Sequence, residues 1–365
     1  MKIVFDHQCF LFSNYGGVSR YYCNLIEELI KMKEDVSIVA PLYQNEQLQS
    51  LTKSCVKGYK IKGFLLKPIK ISRVLNDLLS SLVISKINAD IIHETYFLPK
   101  TIISPCKARI ITIHDMIHEK FPQYFPRNDP STANKLKAIE RADHVICVSN
   151  STKEDLCNIF NVSSKKISVV YHGSDNSAKP NSKIPFHNDR PFLLHVGGRG
   201  LYKNFIQTLK AVAISPQLRK TFDIVAFGSG EFSKDELETI RELKFQEGSV
   251  KQISGNDEIL NVLYNRATAL VYPSLYEGFG LPILEAMRYG CPVICSNSSS
   301  MPEVGGDASQ YFNPHSAEDL SEAIKKVVFN EARKAELILN GYKRINLFSW
   351  KKCANETLSI YKNLI

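Results

Sequence analysis

Short apolar runs rich in β-branched residues recur along the chain, and between them lie longer stretches with the apolar spacing of amphipathic helices. The runs are nearly continuous rather than alternating, which suits parallel strands covered on both faces. They predict strands over 2–6, 36–40, 91–93, 110–114, 144–149 and 167–170, then a second series over 192–196, 222–227, 250–253, 269–273 and 292–296. Helical patterns intervene over 17–33, 151–160, 204–213, 235–244, 259–266, 282–289 and 317–330. Strand and helix alternate, so the expected architecture is α/β with doubly wound parallel sheets. Between the two series, 172–190 is polar and rich in Pro, Ser and Asn, the composition of a linker. The expected organisation is an N-terminal domain over 1–172, a linker over 173–189 and a C-terminal domain over 190–349.

A length of 365 residues fits two such domains better than one core. No apolar run approaches the roughly 20 residues that span a bilayer. Met1-Lys2-Ile3-Val4-Phe5-Asp6 reads as a first strand rather than a signal peptide. Nine scattered cysteines, none in a CxxC pair, point to reduced thiols in a cytoplasm and to no metal site.

The net charge is +9, and its distribution matters more than its sum. Between 51 and 76 stand Lys53, Lys57, Lys60, Lys62, Lys67, Lys70 and Arg73, with no acidic residue. Tyr59, Ile61, Phe64, Leu65 and Leu66 are interleaved among them. The 53–73 segment fits a solvated loop and helix face. It fits less well a contact with anionic lipid, worth about 1 kcal/mol per basic residue, and less well again an acidic acceptor. Nucleic acid is not an expected partner.

Four segments carry candidate chemistry. In Tyr276-Glu277-Gly278-Phe279-Gly280-Leu281-Pro282, a strand gives way to a glycine turn and a helix entrance, with Glu285 eight residues after Glu277. Such a turn presents main-chain N–H groups to an anion. Glu285, expected in the first helical turn, suits a ribose diol, since a carboxylate accepts from two hydroxyls at once. On the residues alone the segment reads equally as a structural strand-to-helix turn with Glu285 serving the helix dipole.

The second segment, His195-Val-Gly197-Gly198-Arg199-Gly-Leu-Tyr202-Lys203-Asn204, places two cations at a strand end, where a diphosphate fits better than a neutral ligand. A solvated basic turn is the alternative. The third, Asn14-Tyr15-Gly16-Gly17-Val18-Ser19-Arg20, is a glycine turn feeding a helix but lacks the GxGxxG pattern, which disfavours a nicotinamide dehydrogenase. The fourth puts His114-Asp115 at a strand end ahead of Phe121-Pro-Gln-Tyr-Phe-Pro126. Here a satisfied structural histidine is the alternative. Gly228-Ser229-Gly230 is a further strand-end turn suited to a base or phosphate.

Together these segments resemble the GT-B glycosyltransferases of family 4, a retaining group, over nearly the whole chain. Glu277 and Glu285 within Glu-Gly-Phe-Gly-Leu-Pro look like that family's hallmark. Gly197-Gly198-Arg199 with Tyr202-Lys203-Asn204 is similar to its diphosphate motif, and Gly16-Gly17 to its N-terminal loop. His114-Asp115 with the Phe-Pro repeat resembles mannosyltransferase-type members that build bacterial surface polysaccharide. The tail from Phe348-Ser349-Trp350 resembles a closing helix, 350–365, that returns to the first domain.

The resemblance implies two Rossmann-like domains facing across a cleft, with the donor held mainly by the second. It implies Arg199 and Lys203 on the leaving diphosphate, Glu285 on the ribose, and Glu277 and His114 on the transferred sugar. Gly17, Gly198, Gly228, Ser229, Phe279, Gly280 and Leu281 complete the expected nucleotide-sugar set. Cations and N–H dipoles stabilise the charge of the leaving group, so no metal and no cofactor are expected, and no carboxylate nucleophile is nominated. The resemblance favours GDP-mannose as donor, with UDP- and dTDP-sugars as alternatives, and a glycan or lipid-linked acceptor. His172-Gly173-Ser174-Asp175 departs from the family's junction, and Gly228-Ser229-Gly230 lacks a following basic residue. Both departures leave the base open. The rival readings are a sugar-nucleotide-binding scaffold with a dead site and, less well matched, a sugar-nucleotide epimerase.

Overall fold

The computed structural model describes residues 1–11, 14–52, 54–62, 69–99, 104–174 and 190–365, with only the backbone at 50, 69 and 70. Lys53 and Lys67, the side chain of Lys70, and the expected linker from 175 onward therefore lie outside the described residues.

The chain divides into two units, Met1–Gly173 with Ser349–Ile365, and Ser174–Phe348. The first holds β1 (Lys2–Phe5), β2 (Asp35–Tyr43), β3 (Val56–Lys60), β4 (Ile91–Glu94), β5 (Ala108–Ile113), β6 (His144–Cys147) and β7 (Ile167–Val169). They pair in parallel in the order β3-β2-β1-β4-β5-β6-β7. The second holds β8 (Phe192–Val196), β9 (Asp223–Phe227), β10 (Val250–Ile253), β11 (Ala269–Tyr272), β12 (Val293–Ser296) and β13 (Ser309–Phe312). Its order is β10-β9-β8-β11-β12-β13, again parallel.

The continuous apolar runs are the central strands. All six residues of β5 and all five of β8 are buried, each large side chain contributing about 1.5–3 kcal/mol of burial energy. In both sheets the strand order reverses beside the first strand, between β1 and β4 and between β8 and β11. The crevice beyond the carboxyl ends of those strands is where open α/β sheets take ligands.

Two strands depart from the sequence expectation. β3 and β13 are edge strands, covered less fully, and neither shows a continuous apolar run. Gly58 in β3 is required by a close approach, since a Cβ there would stand 1.6 Å from the Ala40 carbonyl oxygen. β5 also ends one residue early, so His114 is the first loop residue rather than the last of the strand.

The helix Trp350–Asn363 packs within the first unit. Ser349 caps it by accepting from the Lys352 N–H, and Trp350, Cys353, Ala354, Leu358 and Tyr361 join the core around β1. The Tyr361 hydroxyl lies 2.6 Å from His93 Nδ1, while His93 Nε2 meets the Thr112 hydroxyl at 2.9 Å. All nine cysteines are free. No helix among the described residues is long and apolar enough to cross a membrane.

Burial holds several imidazoles neutral. It pushes His93 down to about 3 and, despite the Gly198 carbonyl, His195 down to about 4. It pushes His172 well below its ordinary value. His114 falls to about 4, chiefly by burial, with Asp115 opposing and Lys135 assisting. Each folded-state pKa lies below the unfolded value of 6.5, so the unfolded chain binds more protons across the interval down to about pH 4. The stability these groups contribute is complete above pH 6.5 and is lost as pH falls through that interval. Thermal unfolding should therefore drop by at least about 5 °C between pH 7 and pH 5. A flat profile over that range would contradict the buried neutral histidines.

Candidate functional site

The loops leaving β8 and β11 meet at the point where strand order reverses in the second unit. Gly197 leaves β8 with φ +105°, which glycine adopts without a Cβ clash, and its N–H donates to the Phe227 carbonyl at 3.0 Å. Gly198 gives the Lys203 stem its passage, since a Cβ there would stand 3.3 Å from Lys203 Cγ. A 3-10 turn, Leu201–Lys203, carries the chain back across the strand ends.

Lys203 Nζ donates to both carboxylate oxygens of Glu277, at 2.7 and 2.9 Å. Tyr202 and Tyr272 set their rings 5.2 and 5.9 Å from the ammonium, which adds cation–π attraction. Tyr272 also hydrogen-bonds Glu277, and burial with that carboxylate pushes its phenol well above the ordinary value. The ion pair is largely withdrawn from water, with 21% of the Lys203 side chain and 9% of Glu277 exposed.

The Glu277 loop is held from behind by three serines. Ser298 Oγ donates to the Leu275 carbonyl, Ser299 Oγ accepts from the Glu277 N–H, and Ser300 Oγ donates to the carbonyls of Glu277 and Phe279, all at 2.9 Å. Sequence reading missed them. Their signal was a hydroxyl run, Ser296-Asn-Ser-Ser-Ser300, directly after a buried strand. Two further ties join the loops: Leu275 N–H donates to the Tyr202 carbonyl at 2.7 Å, and Asn204 Nδ2 to the Pro273 carbonyl at 3.1 Å.

Gly280, at φ +102°, opens the helix Leu281–Arg288 with Pro282 in its first turn. The turn thus delivers main-chain N–H groups at a helix entrance, as expected for an anion site. Glu285 falls beyond the first turn, not within it. Its Oε2 accepts from the buried Tyr264 hydroxyl at 2.9 Å, a partner the sequence did not reveal. Phe279 also departs from expectation. Its ring is buried edge-on to Phe348 at 5.8 Å, so only the main chain of that residue is left to face a ligand.

Arg199 is the largest correction. The expectation set it beside Lys203 as a second diphosphate cation. The structure buries it and fills all five N–H positions. Nε and Nη2 donate to Glu236, Nη1 to the carbonyls of Gly228 and Gly230, and Nη2 also to that of Glu231, over 2.7–3.3 Å. A buried guanidinium needs a counter-charge, and Glu236 supplies it while closing the Ser233 capping box of the helix Lys234–Glu242. Burial opposes the Glu236 charge, but Arg199 and the Ser233 N–H outweigh it and hold the carboxyl below its ordinary value. Arg199 therefore shapes the Gly228-Ser229-Gly230 turn. Ser229 sits there at φ +61° with its hydroxyl donating to the Gly197 carbonyl at 3.2 Å.

The remaining two predicted residues lie in the first unit. Gly17 starts the helix Gly17–Lys31, and nothing stands within 4 Å of where its Cβ would be. It lines a cavity of about 390 Å³ with Cys9, Gly16, Arg73 and Tyr96. His114 packs edge-on to Tyr21 at 5.0 Å. Its Nε2 is buried with no hydrogen-bond partner among the described residues. Lys135 braces the same loop, donating to the Asp115 carbonyl at 3.0 Å and to Glu119 at 2.7 Å.

Removing one partner of a buried pair strands the other. Glu236→Ala should cost about 3 kcal/mol in urea unfolding, and Arg199→Lys should not restore a five-donor contact. A wild-type urea midpoint for Glu236→Ala would contradict the structural role of Arg199.

Comparison with known proteins bears on the family and the fold. The family described as Glycosyltransferase Family 4 matches residues 15–177, and that described as Glycosyl transferases group 1 matches 177–344. The chain is 26% identical to O-antigen chain mannosyltransferase B of Escherichia coli, covering 100% of both. It is 32% identical to O-antigen chain mannosyltransferase RfbU of Salmonella typhimurium over 60% of this chain and 61% of that one. In fold it is similar to sucrose-phosphate synthase from Thermosynechococcus elongatus, with a TM-score of 0.79 at 19% identity, covering 100% of this chain and 99% of that one. With its two parallel-sheet units in the GT-B fold and the two family matches running end to end, the chain belongs to the family 4, group 1 glycosyltransferases and is a glycosyltransferase.

Proposed function

We propose that the chain transfers mannose from GDP-mannose, with retention and without a metal, to a lipid-linked glycan in surface-polysaccharide synthesis. It would work in the cytoplasm, held peripherally on the inner face of the plasma membrane by the basic 53–73 segment. The observation that carries the reading is the meeting of Lys203, Glu277 and the Gly280 helix entrance at the reversal point of the second sheet. The names of the O-antigen mannosyltransferase relatives support mannose as the sugar.

The residues divide the work as follows. Lys203 and the N–H groups at Gly280 and Leu281 take the diphosphate, and Glu285 takes the ribose hydroxyls. Glu277 exchanges its ammonium for hydroxyls of the sugar when the diphosphate arrives to take that ammonium. Gly228 and Ser229, on the turn that Arg199 fixes, border the base. In the first unit, His114 is neutral near pH 7 with a buried Nε2, which suits a sugar hydroxyl rather than an anion. Gly17 offers a main chain that a phosphate approaches closely.

In the reaction the C1–O bond to the diphosphate breaks and its electron pair stays on the leaving oxygen. The acceptor hydroxyl oxygen bonds to C1, and its proton passes to the departing phosphate. Charge builds on the diphosphate, so fixed donors act most strongly there.

Thermal shift with GDP, UDP and dTDP tests the donor. GDP should stabilise most, by about 2.7 kcal/mol at a hundredfold excess over Kd. Stabilisation by UDP or dTDP alone would overturn the GDP-mannose reading. Lys203→Ala should lower kcat on the order of 100-fold or more. A wild-type kcat would remove Lys203 from the diphosphate.

A further inference from the structure

The helix Ile69–Ile84 in the first unit is amphipathic in the reverse sense. Ser72, Asn76 and Ser80, spaced four apart, form its inner face and are buried. Asn76 Oδ1 accepts from the Leu42 N–H at 2.9 Å, where the register of β2 on β3 shifts between Val39 and Leu42. Ser80 Oγ lies 3.0 Å from His7 Nδ1, and Asp77 lies 3.2 Å from His7 Nε2. The helix is thus docked through these polar contacts and, at its C-terminal end, through Ile84 and Val83, which pack with Val4, Val39, Ala89 and Ile92.

Its outer face is apolar. Ile71, Val74, Leu75, Leu78 and Leu82 are 65%, 59%, 43%, 62% and 62% exposed. At spacings of three and four they form one stripe along the helix. Single exposed apolar side chains need no explanation, but a continuous stripe marks an interaction surface.

We propose that this stripe inserts into the head-group region of an anionic lipid bilayer. The inference rests on the membrane contact proposed above and moves its weight from the lysines to the helix. Charge selects the occupant. Exposed Lys57 and Lys62 precede the helix and exposed Lys86 follows it. Asp77, the only acidic residue in the helix, is engaged with His7. A second copy would bring two such basic surroundings together in a chain of net charge +9, whereas anionic head groups neutralise them. Sixteen residues with one polar face lie in the bilayer plane rather than across it.

Co-sedimentation of the full chain with phosphatidylglycerol–phosphatidylethanolamine vesicles tests this. The wild type should bind them and leave phosphatidylcholine vesicles largely free. The triple variant Leu75→Ser, Leu78→Ser, Leu82→Ser should lose binding by at least roughly tenfold. Because these positions are exposed, its melting temperature and its turnover on a water-soluble acceptor should stay at wild-type values. Wild-type vesicle binding by the triple variant overturns the insertion. If Lys57→Gln with Lys62→Gln abolishes binding while the serine variant keeps it, the insertion falls and the electrostatic contact stands. If the wild type ignores anionic vesicles but turns over a soluble acceptor, both membrane readings fall and the transferase reading stands. A wild-type dimer in light scattering that the serine variant dissolves also overturns the proposal, by assigning the stripe to self-association.

Discussion

The ion pair between Lys203 and Glu277 is the contact on which the second unit's site depends. It joins the loop that leaves β8 to the loop that leaves β11, across the one place in the sheet where neighbouring strands send their connections apart. Two charges this poorly hydrated hold each other firmly, yet each is costly to bury alone. The site therefore carries its own counter-ion. In the function proposed above, a diphosphate that offers the ammonium a stronger partner would release Glu277 for hydroxyls, so that binding phosphate and orienting sugar become one exchange. The serines behind Glu277 and the tyrosines around Lys203 keep both groups in position for it.

The two cations of the Gly-Gly turn show how burial separates residues of like charge. Arg199 has five donors, and the turn beside it has three inward carbonyls and a carboxylate to offer. Once saturated, it is a structural clamp on Gly228-Ser229-Gly230. Lys203 has a flexible stem and a compact ammonium, and its carboxylate partner Glu277 is a residue with other hydrogen-bonding uses. The first unit repeats the same sheet logic with a neutral centre, in which His114, Tyr21, His172 and Trp350 pack as rings whose imidazoles burial keeps uncharged.

The strands were legible wherever they are buried on both faces, because a parallel central strand must read as a continuous apolar run. β3 and β13 were not, since an edge strand meets the core on fewer sides and carries Lys, Gly, Ser and Gln without penalty. The helix Ile69–Ile84 was not assigned, and most of its inner positions are small polar residues satisfied by β2 and His7, with only Ile84 among the described residues fully buried as an apolar one, which no periodicity rule anticipates. Within the site, the strand-end positions of Lys203 and of the Glu277 loop followed from motif logic, whereas their ion pair did not. The saturation of Arg199 did not, because Glu236 lies 37 residues away in sequence and is marked locally only as a capping glutamate. Tyr264 behind Glu285 was hidden for the same reason, as a contact between two helices, 21 residues apart in sequence, leaves no local trace.

In the function proposed above, Lys203 reads the phosphate next to the transferred sugar. Calorimetric titration of GDP against GMP tests it, on the wild type and on Lys203→Met. The wild type should prefer GDP by at least roughly tenfold, as expected for one charge-assisted contact of about 1.5–3 kcal/mol, and Lys203→Met should bind both alike. A variant that keeps the full preference for GDP would contradict it.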